Sequence, residues 1–118
     1  MSDGRKYDLE DRTFVFAQDV RFLAAKAPRS IANIEDLKQL VRSSGSVASN
    51  YIEANESLSK KDFVMRVKIC RKEAKESRLW LRLISLDGAQ DLHTVRDRLV
   101  QEALELTRIF GAIVTKNQ

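Results

Sequence analysis

The stretch SKKDFVMRVKICRKEAKESRLWLRLISL, residues 59–86, carries the clearest folding signal in the 118-residue chain. Apolar and small residues recur in it at alternating four- and three-residue steps, which is the spacing of one face of an α-helix. This face consists of Phe63, Val67, Cys70, Ala74, Ser77, Leu81 and Ile84. The stretch therefore predicts an amphipathic helix whose one face packs on other helices.

Local signals mark both ends of this helix. Ser59 and Asp62 have the spacing of a capping box, while Leu58 and Phe63 occupy the two positions of a hydrophobic staple. The dipeptide Asp87-Gly88 is a turn signal after the last apolar position. We expect the helix to cover residues 60–86.

Three further segments show helical periodicity, over residues 9–26, 33–57 and 90–115. The first stops before Pro28, because proline disfavours helix in the residue that precedes it. Asn33 has the residue type of an N-cap for the second. The predicted core positions are Phe16, Val20 and Leu23 in the first segment; Ile34, Leu37, Leu40, Val41, Ser44, Val47, Ala48 and Tyr51 in the second; and Leu92, Val95, Leu99, Ala103, Leu106, Phe110 and Ile113 in the fourth.

The connections between these segments are only a few residues long, so successive helices must lie antiparallel. Helices of this length extend roughly 35 to 40 Å. The sequence predicts an all-α fold, an antiparallel up-down-up-down four-helix bundle formed as one domain by residues 1–118. A helical hairpin array or an extended coiled coil is the alternative, which the frequent turns disfavour.

Composition agrees with a helical protein and also bears on its cellular location. The chain is 43% hydrophobic and 32% charged, with four Gly and one Pro, and few turn-forming residues are typical of helices. No run approaches the roughly 18 apolar residues of a membrane span, and residues 1–6 lack an apolar signal core. We expect a cytoplasmic protein without membrane contact.

The one cysteine, Cys70, is expected to act as a small buried hydrophobe.

Basic residues are concentrated on the third helix. Residues 60–86 contain nine basic and three acidic residues, whereas the rest of the chain has a small acidic excess. On a helical wheel, seven of them fall within an arc of about 120° and extend roughly 30 Å along the axis. We call this set the basic stripe: Lys61, Lys68, Arg71, Lys72, Lys75, Arg78 and Arg82. Such a stripe predicts salt-dependent, sequence-tolerant binding to RNA or DNA phosphates. A solvated face that keeps the protein soluble is the other interpretation.

Another flank of the same helix has a different character. We call it the Trp80 seam: Ile69, Glu73, Glu76, Trp80 and Leu83, with Met65 nearby. A four-helix bundle needs one apolar stripe per helix, so these extra apolar residues predict burial against another copy of the chain. Trp80 covering an edge of its own bundle is the alternative.

Glu73 and Glu76 would need cationic partners in such an interface, and the basic stripe of a neighbouring copy offers them. Contact between unlike faces is head-to-tail, and it forms a ring if the rotation closes. In that case self-assembly competes with nucleic acid for the same lysines and arginines.

The second helix carries an unusual polar row opposite its core face, formed by Gln39, Arg42, Ser46, Asn50 and Glu53. Amides and hydroxyls suit partly buried hydrogen bonding, so we assign Arg42, Asn50 and Glu53 to the predicted interface between copies. Gly45 lies in the middle of this helix, where glycine costs about 1 kcal/mol relative to alanine. Close approach of a neighbouring helix or a kink would account for it.

The sequence contains no recognisable catalytic or metal-binding motif. His93 is the single histidine, and it has no second His or Cys at ligand spacing. Glu-x-x-His pairs, Gly-rich phosphate loops and nucleophile elbows are also missing. Glu73 and Glu76 lie one helical turn apart, but such pairs are usually solvated or salt-bridged. We expect no enzymatic activity, no metal and no cofactor.

Short motifs on the second and third helices resemble those of a known family. They are QLVRS (39–43), SV (46–47), NYIEA (50–54), DF (62–63), KEAKE (72–76) and WL (80–81). Together they resemble bacterial four-helix-bundle proteins encoded in intervening sequences of 23S ribosomal RNA genes, over about residues 9 to 115. Ala54 departs from the glycine, and Glu73 from the serine, that many members have there, which indicates a variant branch.

The resemblance implies a homopentameric ring with no established enzymatic activity and a suspected role in binding RNA or DNA. The chain is also similar in fold to the accessory protein of diversity-generating retroelements, a basic pentamer that partners a reverse transcriptase and nucleic acid. Our leading hypothesis is a non-enzymatic, oligomeric nucleic-acid-binding protein. The alternative is a structural or adaptor protein whose charged flanks serve self-assembly and a protein partner.

Overall fold

The computed structural model describes residues 8–118, and the regular structure in that range is entirely α-helical. The helices are α1 (Leu9–Lys26), α2 (Ile31–Asn55), α3 (Lys60–Leu83) and α4 (Leu92–Lys116). Each packs on the next along the chain, and α1 also lies beside α4. The prediction of an antiparallel up-down-up-down four-helix bundle is confirmed. No helix within these residues is both long and apolar enough to cross a membrane.

The core lies along the axis of the bundle, and all four helices contribute to it. Its largest shielded side chains include Phe16, Leu40, Leu81 and Phe110, one from each helix. The face predicted for α3 is buried from Val67 to Ile84, with Phe63 half-buried at its start. The predicted core positions that lie at its edge, half-buried, are Ile34, Val41, Ala48, Tyr51, Val95 and Ile113.

Helix α2 begins earlier than predicted. It starts at Ile31, and Ser30 is the N-cap, whose side chain accepts a hydrogen bond from the Asn33 backbone N–H at 3.1 Å. The prediction of Asn33 as N-cap is therefore wrong. Its buried side chain instead donates from Nδ2 to the carbonyls of Pro28 at 2.8 Å and Ser85 at 2.7 Å, and its Oδ1 accepts from the Ser85 N–H at 2.9 Å. Asn33 holds two loops together at one end of the bundle.

The same contact explains why α3 ends at Leu83 rather than at residue 86. Ser85 uses both backbone groups on Asn33, and a helical Ser85 would use its N–H within the helix. Ile84 is extended, and the chain turns at Gly88 with φ of 80°. The other bounds differ by one or two residues: α2 ends at Asn55 rather than 57, and α4 covers Leu92–Lys116 rather than 90–115.

The predicted start of α3 is correct, but one of its supporting contacts is not. Ser59 is the N-cap and accepts from the Asp62 N–H at 3.1 Å. Leu58 is 99% exposed, so it does not pack on Phe63 and the predicted hydrophobic staple is wrong. The connection from α2 directs this side chain into solvent, and the hydroxyl cap alone fixes the start of the helix.

Helix α1 packs closely on α2 and more lightly on α4. Ion pairs join α1 to α4: Arg12 lies 2.7 Å from Glu102 and 3.0 Å from Glu105, and Arg98 lies 3.3 Å from Asp19. The hydrogen bond to Glu102 raises the pKa of Arg12. The outward side of α1 leaves Phe14 and Phe22 about three-fifths exposed, a feature that the helical periodicity did not reveal.

Gly45 allows a close approach between α1 and α2. A Cβ atom at this position would lie 3.1 Å from Nη2 of Arg21. The same guanidinium donates to the Ala17 carbonyl at 3.0 Å and lies 3.5 Å from the Val41 carbonyl. Of the two explanations for this glycine, close approach is the one supported, although the near neighbour is a side chain rather than a helix backbone.

The role of Asn33 leads to a stability prediction. We expect Asn33→Asp to lower the free energy of unfolding by about 3 kcal/mol, because both amide donors to buried carbonyls are lost and a carboxylate faces them instead. Aspartate caps helices as well as asparagine does, so an unchanged stability would show that Asn33 acts as a cap. Ser30→Ala, which removes the observed cap, should cost about 1 kcal/mol. Urea unfolding followed by circular dichroism at one protein concentration measures both.

Candidate nucleic-acid interface and assembly surface

The basic stripe lies on the outer side of α3, turned towards α4. Lys61, Lys68, Lys72, Lys75 and Arg82 are exposed, whereas Arg71 and Arg78 are half-buried. Arg71 lies against α4, where a Cβ at Gly111 would be 3.7 Å from its Cδ. The Nε atom of Arg78 is buried without a hydrogen-bond partner in the described part of the chain. Two of the seven cations are thus packed in place, and five extend into solvent.

The charge of the stripe is not neutralised within residues 8–118. None of its seven members forms an ion pair there, while five other cations do: Arg12, Lys38, Arg42, Arg96 and Arg98. Uncompensated charges of one sign on one face produce a positive potential that attracts polyanions. The structure therefore brings the predicted residues together as a continuous cationic surface.

The Trp80 seam faces the other way, towards α2. Nη2 of Arg42 lies 3.4 Å from Oε1 of Glu73 and 3.5 Å from Oε1 of Glu76. The Glu73 side chain is 8% exposed and that of Arg42 is 52% exposed. The sequence interpretation took the cation for these carboxylates from a neighbouring copy, but α2 of the same chain supplies one.

Trp80 and Ile69 are half-buried, and Trp80 packs against the edge of the core. The indole Nε1 of Trp80 is buried and has no hydrogen-bond partner among residues 8–118. Beside them, Met65 is 49% and Leu83 is 55% exposed. Trp80 does cover an edge of its own bundle, yet it leaves two large apolar neighbours open to solvent.

The polar row of α2 is partly bonded within the chain. Nδ2 of Asn50 donates to Oγ of Ser46 at 2.9 Å, and its Oδ1 accepts from Nη1 of Arg66 at 3.0 Å. Nε of Arg42 lies 3.5 Å from Oε1 of Gln39. Glu53 is exposed. The row therefore forms part of one α2–α3 surface together with the Trp80 seam.

Beneath this surface, Ser43 and Ser77 share a hydrogen bond of 2.8 Å, and Ser77 also donates to the Glu73 carbonyl at 2.9 Å. Both serines are fully buried. The sequence interpretation included Ser77 in the α3 face but missed Ser43. Ser43 has no recognisable signal in the sequence, because its pairing with Ser77 depends on how α2 and α3 pack.

The stripe and the seam are different faces of the bundle that share α3. One adjoins α4 through Arg71 and Gly111, and the other adjoins α2 through Arg42 and Glu73. The two faces adjoin at the start of α3, where Met65 lines one groove together with Lys61 and Lys68. Because Arg42 of the same chain pairs with Glu73 and Glu76, these carboxylates do not require the stripe of a second copy.

The remaining candidates for a reactive or metal-binding site are Cys70 and the His, Asp and Glu side chains. Cys70 is buried, its thiol lies 3.6 Å from the Val47 carbonyl, and burial raises its pKa to about 12. A thiol with that pKa stays protonated at neutral pH and is a poor nucleophile, so its prediction as a small hydrophobe is confirmed. Within residues 8–118 no group of three or more His, Cys, Asp or Glu side chains is arranged to hold a metal ion.

Two shallow grooves open on the surface. One lies between α1 and α2, where Arg21, Arg29 and Lys38 surround an apolar floor. The other lies at the start of α3 and includes Lys61 and Lys68 of the basic stripe. Lys61 and Lys68, the first two members of the stripe, therefore line a concave surface.

The ion pair between Arg42 and Glu73 can be tested by a double-mutant cycle. We expect Arg42→Met to destabilise the protein by about 1 to 2 kcal/mol, because it leaves a buried carboxylate unpaired while the arginine itself is half-exposed. Combination with Glu73→Gln should recover part of that loss. Lys38→Met is the control, since the Lys38–Glu35 pair is 3.7 Å apart and both side chains are about 70% exposed, and it should have little effect. Additive single effects would show that the two residues do not interact.

Comparison with known proteins supports the fold and the resemblance. Residues 5–112 match the model of the 23S rRNA-intervening sequence protein family. A solved structure from Bacteroides thetaiotaomicron, a protein of unknown function from the S23 ribosomal protein family, superimposes with a TM-score of 0.73 at 23% identity. The alignment covers 91% of this chain and 98% of that one. None of the curated proteins matches the chain. Because the family match extends over nearly its whole length, the chain belongs to the 23S rRNA-intervening sequence protein family.

Proposed function

We propose that this chain is a non-enzymatic, oligomeric protein that binds RNA or DNA through the basic stripe of α3. The observation that carries the proposal is the absence of any ion pair at the seven stripe residues within residues 8–118, while five of the twelve other lysines and arginines in that range pair with carboxylates. Nucleic-acid phosphates are polyanions that release counterions when cations replace them. A row of cations without ion pairs gains the most binding free energy from this counterion release, because no carboxylate contact has to be broken first.

The form of the stripe supports contact with a phosphate backbone. Helix α3 is continuous from Lys60 to Leu83, so the stripe residues have fixed spacing along one rigid element. Arg71 is half-buried against α4, which orders its long stem. Arg78 is also half-buried, and its buried Nε has no hydrogen-bond partner within residues 8–118. A guanidinium binds phosphate through two parallel hydrogen bonds. Contacts of this kind position a protein on nucleic acid without reading sequence.

The Trp80 seam supports oligomerisation. The half-buried Trp80 and Ile69 together with the exposed Met65 and Leu83 form an apolar patch of the kind that a partner chain buries. Since Arg42 already pairs with Glu73 and Glu76, this contact does not need the basic stripe of a neighbour. A ring requires the seam to meet a different face of the next copy. Five copies is the number that the family resemblance implies.

The proposal assigns no catalytic residue. Glu73 and Glu76 are tied to Arg42, and Cys70 is a buried, protonated thiol. Side chains used in this way are occupied with folding and packing rather than presented to a substrate.

The nucleic-acid interface is tested by charge reversal. We predict that the wild-type protein binds structured RNA or duplex DNA with micromolar or tighter affinity at low salt, and that the affinity falls with a slope of about one unit per phosphate contacted. Lys68→Glu, Lys72→Glu and Lys75→Glu combined should abolish binding, because the stripe becomes negative at its centre. Fluorescence anisotropy at two salt concentrations measures both effects.

The matched control reverses three exposed cations on α1, α2 and the loop between them, namely Lys26, Arg29 and Lys38. It changes the net charge by the same amount and should retain most of the affinity. Equal losses in both triple variants would mean that net charge alone is responsible. No binding by the wild type at low salt would rule out the proposed function.

The second candidate is a structural or adaptor protein whose charged and apolar flanks serve self-assembly and a protein partner. The exposed Met65 and Leu83 beside Trp80 favour it. Under this alternative, reversal of Lys68, Lys72 and Lys75 breaks the oligomer, whereas under our proposal it leaves the oligomer intact.

Light scattering coupled to size-exclusion chromatography separates the two. We predict that the wild type is larger than a monomer and that Met65→Glu with Leu83→Glu converts it to monomer, since both changes place charge in the apolar patch. Ile31→Glu, at an exposed apolar residue in the first turn of α2, should leave the mass unchanged. A monomeric wild type at high micromolar concentration would contradict the interface assigned to Trp80 and Ile69.

A further inference from the structure

Four members of the basic stripe repeat every seven residues: Lys61, Lys68, Lys75 and Arg82. Seven residues are close to two helical turns, so neighbouring members are rotated by only about 20°. Because α3 is uninterrupted over this range, the four cations form a nearly straight row. The spacing between neighbours is about 10.5 Å and the row is about 31 Å long at 1.5 Å per residue.

The surface around this row offers no aromatic ring among residues 8–118. The exposed Phe14 and Phe22 lie on α1, which does not pack on α3. Trp80 lies on the side of α3 that faces α2, and Phe63 is half-buried at the core. The apolar side chain exposed next to the row is Leu79, which is aliphatic and 45% exposed. Proteins that hold single strands combine cations with aromatic rings on which bases stack. The stripe has the cations without the stacking platform.

A duplex, by contrast, presents two phosphate backbones at a fixed separation. The row of about 31 Å is close to one helical turn of DNA, which is about 34 Å. When α3 lies along the duplex axis, a straight row of about one turn crosses each of the two backbones, so its cations meet phosphates on both strands.

Resting on the proposed function, we infer that the basic stripe selects double-stranded over single-stranded nucleic acid, through contacts to the two phosphate backbones. Selection arises because a rigid row of cations fits a rigid pair of backbones, while a flexible strand must first be ordered and gains no stacking in return. The bases are not read, so different duplex sequences are bound alike.

The test compares the affinities of the protein for four ligands. They are a duplex RNA and a duplex DNA of about 20 base pairs, and uridine and thymidine homopolymers of the same length. Anisotropy titrations at equal salt should show both duplexes bound at least about tenfold more tightly than either single strand. The salt slope on duplex DNA should be at least about four units, because the row supplies four cations and the other stripe residues lie beside it.

Two variants locate the effect. Lys68→Gln with Lys75→Gln should reduce the duplex salt slope by about two units, whereas Lys26→Gln with Lys38→Gln should leave it unchanged. Leu79→Trp adds a stacking ring beside the row at an exposed position. It should raise affinity for the uridine homopolymer about tenfold and change duplex affinity little.

The outcomes separate the inference from the function on which it rests. Single strands bound as tightly as duplexes overturn the inference and leave nucleic-acid binding standing. No binding to any of the four ligands at low salt overturns both. A duplex preference that persists with an unchanged slope in the Lys68→Gln, Lys75→Gln variant also overturns it, because the contacts then lie elsewhere.

Discussion

The side chains of Val67, Cys70, Ala74 and Leu81 are fully shielded from water, because α2 covers one side of α3 and α4 covers the other. Shielding of this face is the main favourable term in placing the helix. Because this face points into the core, the directions of the two flanks of α3 are fixed. The basic stripe must lie beside α4 and the Trp80 seam beside α2, so one packing constraint positions both candidate surfaces.

Electrostatic pairing then distinguishes these surfaces. On the α2 side, Arg42 pairs with both Glu73 and Glu76, and an apolar patch remains to be covered. On the α4 side, no carboxylate within residues 8–118 pairs with the stripe, and its charge is left for a partner. The net charge of +4 is small. Its distribution, rather than its size, gives the protein a cationic face, to which we assign the proposed binding of nucleic acid.

Sequence alone predicted the parts of this structure that depend on local periodicity. The four helices, the α3 core face and the Ser59 cap follow from spacing within one segment. Contacts between distant residues were not predictable in that way. Asn33 resembles a cap, yet its partner Ser85 is 52 residues away. The Arg42–Glu73 pair joins α2 to α3, and only the packing of α1 shows that Phe14 and Phe22 remain exposed.

We propose that the stripe remains open when the protein assembles and is then covered by nucleic acid. Amine labelling of the assembled protein, read residue by residue by mass spectrometry, tests it most directly. Lys68, Lys72 and Lys75 should react as fast as the exposed Lys26 and Lys38, and added duplex RNA should protect these three and Lys61 but neither Lys26 nor Lys38. Protection of the three lysines in the assembled protein before any nucleic acid is added would contradict the account.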